Sequence, residues 1–515
     1  MRLKSLVLAA AVALLPVTAQ AVEVYPGCGV PSTKVGAHTF YVDPLRGSDS
    51  GDGSSANPWK TLSTILGVSN KFVSSKAWSN KTSSYAVVNP TGPIKAGDTV
   101  LLRSGNHGNL KILNLFNDDF ITVAAAPGAT PVITQLAITS AAKWAFHGIK
   151  FQSPTQQPIP SDLSKKPLDA LVTVGGGDYT GVSHDFVLYD NSFSTTDDTA
   201  GWSKTDWVAQ PTFMLASALA TCSSFVDNRF YNAFNALGLF NSRQIALQNS
   251  IRFFVNDGID LTAGAITIKA NTITDNVNST LDGYHADGIQ GWSNIVNGVP
   301  ATNSYVTIDG NTIVKTGDAA VTYMQGISFF DGRWDHLFIT NNKIITNTVN
   351  GIAVFGGTNV QIINNTLVAS GTDKTTILRL QNAKDGTSSV NVTVRNNISP
   401  FLAVAIAGVT ADHNIIAGGR YIDLVNGVGT NVTTSNMTKR NILVSDVSSL
   451  FVTVNDATAT YDLRLKAGSA AVGFGSWAGA PATDIVGRTR GPAYDLGAYA
   501  YPKAQVAGTG SASGN

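Results

Sequence analysis

The 515-residue chain has little charge: 13% of its residues are Asp, Glu, Lys or Arg, against about 25% in an average globular protein. Basic residues number 35 and acidic ones 34, and the basic ones form no block. No nucleic-acid partner and no anionic membrane surface is therefore expected. Cysteine is scarce as well, with only Cys28 and Cys222. Without a Cys/His cluster at zinc spacing, a zinc enzyme is not expected. A Cys28–Cys222 bridge and two buried free thiols both remain open, because sequence does not measure the Cα separation a bridge needs. Long apolar runs are missing too, so no transmembrane segment is expected. Residues 1–21 have the form of a secretory signal: Arg2 and Lys4, an apolar run over 6–15, then Ala19-Gln20-Ala21. The expected location is periplasmic or secreted, where disulfides are permitted.

In place of charge the chain carries Asn, Ser, Thr and 49 glycines, with a hydrophobic fraction of 43%. That fraction argues against disorder, and the poor helix formers argue against a helical bundle. What is present is a repeat. From about residue 185 an alternating apolar stretch leads to Asn, one residue, then an apolar residue. Copies are Phe186-Val187-Leu188-Tyr189-Asp190-Asn191-Ser192-Phe193, Ile266-Thr267-Ile268-Lys269-Ala270-Asn271-Thr272-Ile273 and Val306-Thr307-Ile308-Asp309-Gly310-Asn311-Thr312-Ile313. Asn228, Asn249 and Asn271 follow one another at 21 and 22 residues, a period at the short end of repeat architectures. Short period-2 runs that cannot bury a face alone must stack on identical neighbours, which predicts an all-β parallel solenoid. Asn at the fixed turn position is expected to take the left-handed conformation and to bond its amide to the next coil. Longer intervals, 40 residues from Asn271 to Asn311 and 31 from Asn311 to Asn342, mark inserted loops. A third insertion, over 194–213, carries Trp202 and Trp207.

Three stretches resemble secreted right-handed parallel β-helix proteins of the pectate-lyase-like superfamily. They are Phe40-Tyr41-Val42-Asp43-Pro44 through Asn57-Pro58-Trp59-Lys60-Thr61-Leu62, then Gly97-Asp98-Thr99-Val100-Leu101-Leu102-Arg103, and lastly Tyr461-Asp462-Leu463-Arg464-Leu465 through Asp495-Leu496-Gly497-Ala498-Tyr499. The resemblance implies one right-handed β-helix domain over 22–505: cap and first coils at 22–130, central coils at 131–445, a closing segment at 446–505. A Gly/Ser tail follows at 506–515. Lyases, epimerases, hydrolases and non-enzymatic adhesins share these signatures, so chemistry must be argued from a site.

Aligned on Gly-Ile, the coils stack Asn256-Asp257-Gly258-Ile259-Asp260 on Ala286-Asp287-Gly288-Ile289-Gln290, Met324-Gln325-Gly326-Ile327-Ser328 and Val349-Asn350-Gly351-Ile352-Ala353. Alternation sends each Ile into the core and Asp260, Gln290 and Ser328 outward. Asp257, Asp287, Gln325 and Asn350 are expected as a second exposed column at a bend. Two carboxylates on adjacent coils lie about 5 Å apart, where they share a proton, hold a cation, or continue an Asn/Asp ladder without chemistry. The proton-sharing arrangement fits a retaining glycosidase pair. The resemblance implies Ca²⁺ on Asp257, Asp260 and Asp287 as the alternative, and no other cofactor is expected. Asn256-Asp257-Gly258-Ile259-Asp260 also resembles the first motif of polygalacturonase-type hydrolases, but it lacks their Thr, and their paired Asp and Gly-His-Gly do not follow.

His285, flanked by Tyr284 and two residues from Asp287, has the pKa range for proton transfer. A lyase acting on a uronic acid would need a cation, here Arg333 or Arg379, a base, His285, and an acid, Tyr284 or Tyr323. The catalytic set is thus Asp257, His285, Asp287 and Arg333. Asp260, Tyr284, Gln290, Trp292, Tyr323, Gln325 and Arg379 are expected to bind substrate, with Trp292, Trp334 and Trp202 as stacking platforms. The expected function is a monomeric enzyme cleaving a uronic-acid polysaccharide by β-elimination. Hydrolysis by paired Asp, epimerisation, and non-catalytic carbohydrate binding stand as alternatives.

Overall fold

The computed structural model describes residues 23–31, 38–68, 71–152, 170–175, 181–277, 286–315, 323–370, 376–404, 406, 408–425, 428–432 and 441–502. The expected solenoid is there. Each coil lays one short strand on each of three parallel sheets, as in Ile266–Lys269 on sheet 1, Thr272–Asn276 on sheet 2 and Asp287–Gly291 on sheet 3. Sheet 1 runs from Thr39–Val42 to Thr410–Asp412, each strand in register with the next coil. Sheet 2 ends at Ile442–Val444. Sheet 3 carries Asp257–Leu261, Asp287–Gly291, Gln325–Phe329, Asn350–Phe355 and Ile377–Gln381 on successive coils.

Like stacks on like inside. Ile259, Ile289, Ile327 and Ile352 are register partners on sheet 3 and fully buried. On sheet 2, Phe151, Phe193 and Phe230 stack with ring centres 4.9 and 4.6 Å apart. An aligned column of this kind closes the core because every coil offers its neighbour the same shape.

Between sheets 1 and 2 runs the asparagine ladder: Asn191, Asn228, Asn249, Asn271, Asn311, Asn342, Asn365, Asn397, Asn414 and Asn441, all buried. The backbone N–H and the side-chain amide of each donate to the Oδ1 of the next, as Asn249 does to Asn271, both at 2.9 Å. The conformational expectation needs correcting. Left-handed φ falls on the residue before the ladder Asn, as at Asp190 (51°), Asp227 (53°), Gln248 (56°) and Ala270 (55°). The ladder side chain must point inward along the stack, so the preceding residue makes the reversal. Ala270→Gly removes a Cβ from that conformation. It is expected to raise stability by about 0.5–1 kcal/mol, read from urea unfolding midpoints.

Later in the ladder the left-handed position is itself Asn, at 341, 364 and 396. These side chains hold the closing segment: Asn341 donates to Thr483 O, Asn364 to Asp495 O, Asn396 to Ser476 O. The two cysteines are bridged, with Cα atoms 5.4 Å apart. The bridge fastens the N-terminal segment across the coils, where Gly29 N–H also donates to Asp185 at 2.7 Å. The expected signal over 1–21 and tail over 506–515 lie outside the described residues.

Candidate active site

Sheet 2 hands over to sheet 3 at Val255 and Asn256, and the strand starts at Asp257 itself. That places Asp257 differently from expectation. Asp257, Asp287 and Gln325 do not stand exposed at a bend: they are 2%, 0% and 7% exposed. Asp260 faces outward from its strand, between the core residues Ile259 and Leu261, yet it is only 2% exposed. Its register partner on the preceding coil is Gly238, where a Cβ would meet the Phe240 ring at 2.3 Å. The missing side chain lets that ring lie beside Asp260. On the following coil the partner is Gln290, then Ser328.

Three carboxyls therefore share one dry corner. Asp257 accepts the Asp287 N–H at 2.9 Å, and its own N–H donates to Asn235 Oδ1 at 2.9 Å. This continues a side-chain-to-backbone ladder with aspartate in two rungs. Asn256 donates its amide to the other oxygen of Asp257, and the Ser328 hydroxyl donates to Asp287 Oδ1. The Asp260 carboxyl lies close enough to Asp257 to raise its proton affinity. Asp260 Oδ1 and Asp287 Oδ2 are buried with no hydrogen-bond partner among the described residues.

Burial dominates the electrostatics. It pushes Asp257 well above the usual carboxylate range, with the charges of Asp260 and Asp287 adding to the rise. Asp260 is pushed up by burial and by Asp287. Asp287 is raised to about 7 by burial, held there against the Ser328 hydrogen bond. No Lys, Arg or His among the described residues contributes to these shifts. The donor set is all oxygen and includes two orphaned buried oxygens, the chemistry of a hard cation such as Ca²⁺, but as the chain stands the three carboxyls do not bring one oxygen each within 4.8 Å of one another. Without a cation, the corner holds protons up to neutral pH, and at least one carboxyl is a proton donor there.

The remaining expected residues divide. Gln290 joins the corner, partly exposed, on the outer column of sheet 3. Trp292 is half-buried, its ring 6.1 Å from Phe240, so an aromatic wall flanks the carboxyls. Arg379 continues the outer column four coils beyond Asp260, through Gln290, Ser328 and Ala353, about 19 Å away at the strand spacing. Its guanidinium lies 5.0 Å from the Phe355 ring centre. Gln325 lies buried on the next coil, bonded to the Asn350 amide, and Tyr323 stands exposed just before it.

Arg333 is elsewhere: it begins a sheet 1 strand and pairs with Asp385 at 3.0 Å, a carboxyl held at about 2 by hydrogen bonds from Thr387 first and by Arg333 after them. Trp334 is 1% exposed and packs edge-on against Phe329, so it is core and not a platform. Trp202 packs on Trp207. Tyr284 and His285 lie outside the described residues. Sequence reasoning passed over Asn235, Asn256 and Phe240, although the spacing of Gly238 and Phe240 on the coil below Asp260 was visible.

The comparisons with known proteins match this architecture. The family model described as right handed beta helix region matches residues 218–372. The structure of XylC with xylose superposes with a TM-score of 0.50 at 10% identity, covering 90% of this chain and 99% of that one. The pectate lyase Pel9A gives 0.42 at 14%, over 92% and 98%. The A-module of the Azotobacter vinelandii mannuronan C-5 epimerase AlgE4 gives 0.31 at 11%, over 62% and 91%. No curated protein matches the sequence. At these identities the likeness is one of fold, and in fold the chain is a right-handed parallel β-helix.

Proposed function

We propose that this chain is a carbohydrate-active enzyme that cleaves glycosidic bonds by carboxyl acid–base chemistry at Asp257, Asp260 and Asp287. The observation that carries the reading is a buried cluster of three carboxyls, one of them raised to about 7, with no cation among its described contacts. Asp287 is the general acid: a carboxyl near neutrality keeps its proton until the leaving glycosidic oxygen takes it. Asp257, on the adjacent coil, supplies the opposing carboxylate in its ionised form. Adjacent-coil spacing of about 4.8 Å lies close to the roughly 5–5.5 Å of a retaining pair. Phe240 and Trp292 supply the apolar wall against which a sugar face rests. The carboxyls are covered as the chain stands, so sugar binding has to uncover them. The signal-like residues 1–21 agree with an extracellular polymer as substrate, acted on by a monomer.

A second reading is favoured by the orphaned oxygens of Asp260 and Asp287. In it Asp257, Asp260 and Asp287 would have to draw together to hold Ca²⁺, which would supply positive charge for β-elimination at a uronic acid, with Arg379 binding a further carboxylate along the column. One screen separates the two: neutral and uronic-acid polysaccharides, assayed for reducing ends and for unsaturated-uronate absorbance, with and without EDTA. Hydrolysis predicts reducing ends without absorbance and no response to EDTA. Absorbance lost in EDTA supports elimination, and inactivity on every polymer removes both readings.

A further inference from the structure

We propose a second saccharide-binding site, on the outer face of sheet 2 and separate from the carboxyl corner, which takes a neutral sugar unit. A cleft of about 360 Å³ opens there between the strands Arg229–Ala233 and Ser250–Phe254 and the inserted segment at Asp197 and Thr199. Its size is at the small end of ligand sites, about 300–1,000 Å³.

The floor of the cleft holds a strained aromatic residue. Phe253 has φ 57°, a left-handed conformation that is a true outlier for a bulky side chain. Its place recurs in neighbouring coils, where Asn232 (58°) and Asp275 (58°) stand, between the register pairs Tyr231↔Arg252 and Ala233↔Phe254 below and Arg252↔Thr274 and Phe254↔Asn276 above. Those two residues are of the types that tolerate the conformation. The coil geometry therefore asks for Asn or Asp, and Phe stands against it. Core packing does not explain the exception, because the ring lines the cleft only partly buried, with the Arg252 guanidinium lying over one face, 4.3 Å from its centre. Strain kept at an aromatic ring that lines a cleft is the pattern of a binding platform, and the C–H face of a sugar is the partner the ring's free face takes.

The polar groups around the ring are held in place. Asp197 accepts from Lys150 at 2.6 Å and from the Tyr231 hydroxyl at 2.7 Å, contacts that keep it ionised as a fixed acceptor. Arg229 pairs with Asp190 at 3.0 Å, and Arg252 pairs with the buried Asp275. Each cation at the cleft is thus matched by a carboxylate. Paired guanidinium and carboxylate groups bond sugar hydroxyls without favouring an anion, so the ligand is a neutral sugar and not a uronate. The site does not depend on the reaction at sheet 3.

The test is affinity electrophoresis of the full chain through gels containing xylan, glucomannan, galactan or polygalacturonate, run in the cold in an Asp287→Asn background and with the gels checked for reducing ends, so that any residual cleavage is seen. The comparison is with the same protein carrying Phe253→Asn, which restores the residue type used one coil below. At least one neutral polymer is expected to retard the parent, Phe253→Asn to weaken that retardation at least fivefold, and its melting midpoint to stay level or rise. Three results overturn the proposal: no retardation by any neutral polymer, equal retardation of both proteins, or a lower midpoint in Phe253→Asn, which would make the ring structural. Retardation in these gels is read apart from cleavage, so the failure of either proposal leaves the other measurable.

Discussion

Asp287→Asn is expected to lower glycan cleavage by about 10²–10⁴-fold, the usual worth of a positioned general acid, without unfolding the chain. Asn keeps the acceptor that Ser328 donates to and removes a carboxyl that the surroundings do not charge-balance. The pH dependence follows from the direction of the shift. Asp287 is raised from an ordinary 3.8 to about 7 in the fold. Below pH 3.8 it is protonated in both folded and unfolded chains and costs nothing. As pH rises towards 7 the unfolded chain releases the proton while the fold retains it, so stability falls across that window. Above the folded value the loss is complete, at roughly 4 kcal/mol. The wild-type melting midpoint should therefore decline between about pH 4 and pH 7, and the decline should be smaller in Asp287→Asn. Cleavage by the wild type should fall above about pH 7 as the acid ionises. A midpoint that rises over the same range would mean an ionised cluster compensated by a cation, as in the calcium reading. Undiminished cleavage by Asp287→Asn would place the chemistry elsewhere.

Asn271→Ala is expected to be among the most destabilising single changes in the chain. Asn271 Oδ1 accepts the backbone N–H and the amide of Asn249, and its own amide donates to Ala246 O and Asn311 Oδ1, all at 2.9 Å. Truncation leaves two or three buried polar groups unpaired at about 1–3 kcal/mol each, so the expected loss is about 3–6 kcal/mol. That is a large share of the roughly 5–15 kcal/mol that holds a typical domain. Asn271→Asp is the informative companion. It retains the acceptor, loses the donors and buries a charge, so it should be no more stable than Asn271→Ala at pH 7. Urea unfolding of the three proteins reads the effect, and a loss below about 1 kcal/mol in Asn271→Ala would mean that the rungs relax around a gap.

The ladder and the carboxyl corner differ in how readable they were. Asn191 to Asn397 could be aligned from spacing alone, because every coil repeats one turn and its inward amide. The αL residue was assigned one position late, since Asn tolerates that conformation and pattern alone does not show which of two adjacent residues reverses the chain. Asp257, Asp260 and Asp287 were likewise found as a group, but as an exposed one. Trp334 and Arg333 were read as exposed site residues for the same reason: an insertion after Phe329 resets the phase of alternation, and the strand that restarts at Arg333 buries Trp334.

What the sequence determined by itself is what repeats: the period, the stacked parallel coil, the Asn rungs and the stacking of Ile on Ile. These are local patterns, and stacking multiplies them without changing them. Tertiary structure alone decided what happens where coils differ. Asp260 sits above Gly238, whose missing side chain leaves room on the coil below for the Phe240 ring, and Asp287 meets Ser328 from the coil above. Burial sets the proton affinity of these carboxyls, and burial there is a property of three coils together, which no single segment encodes.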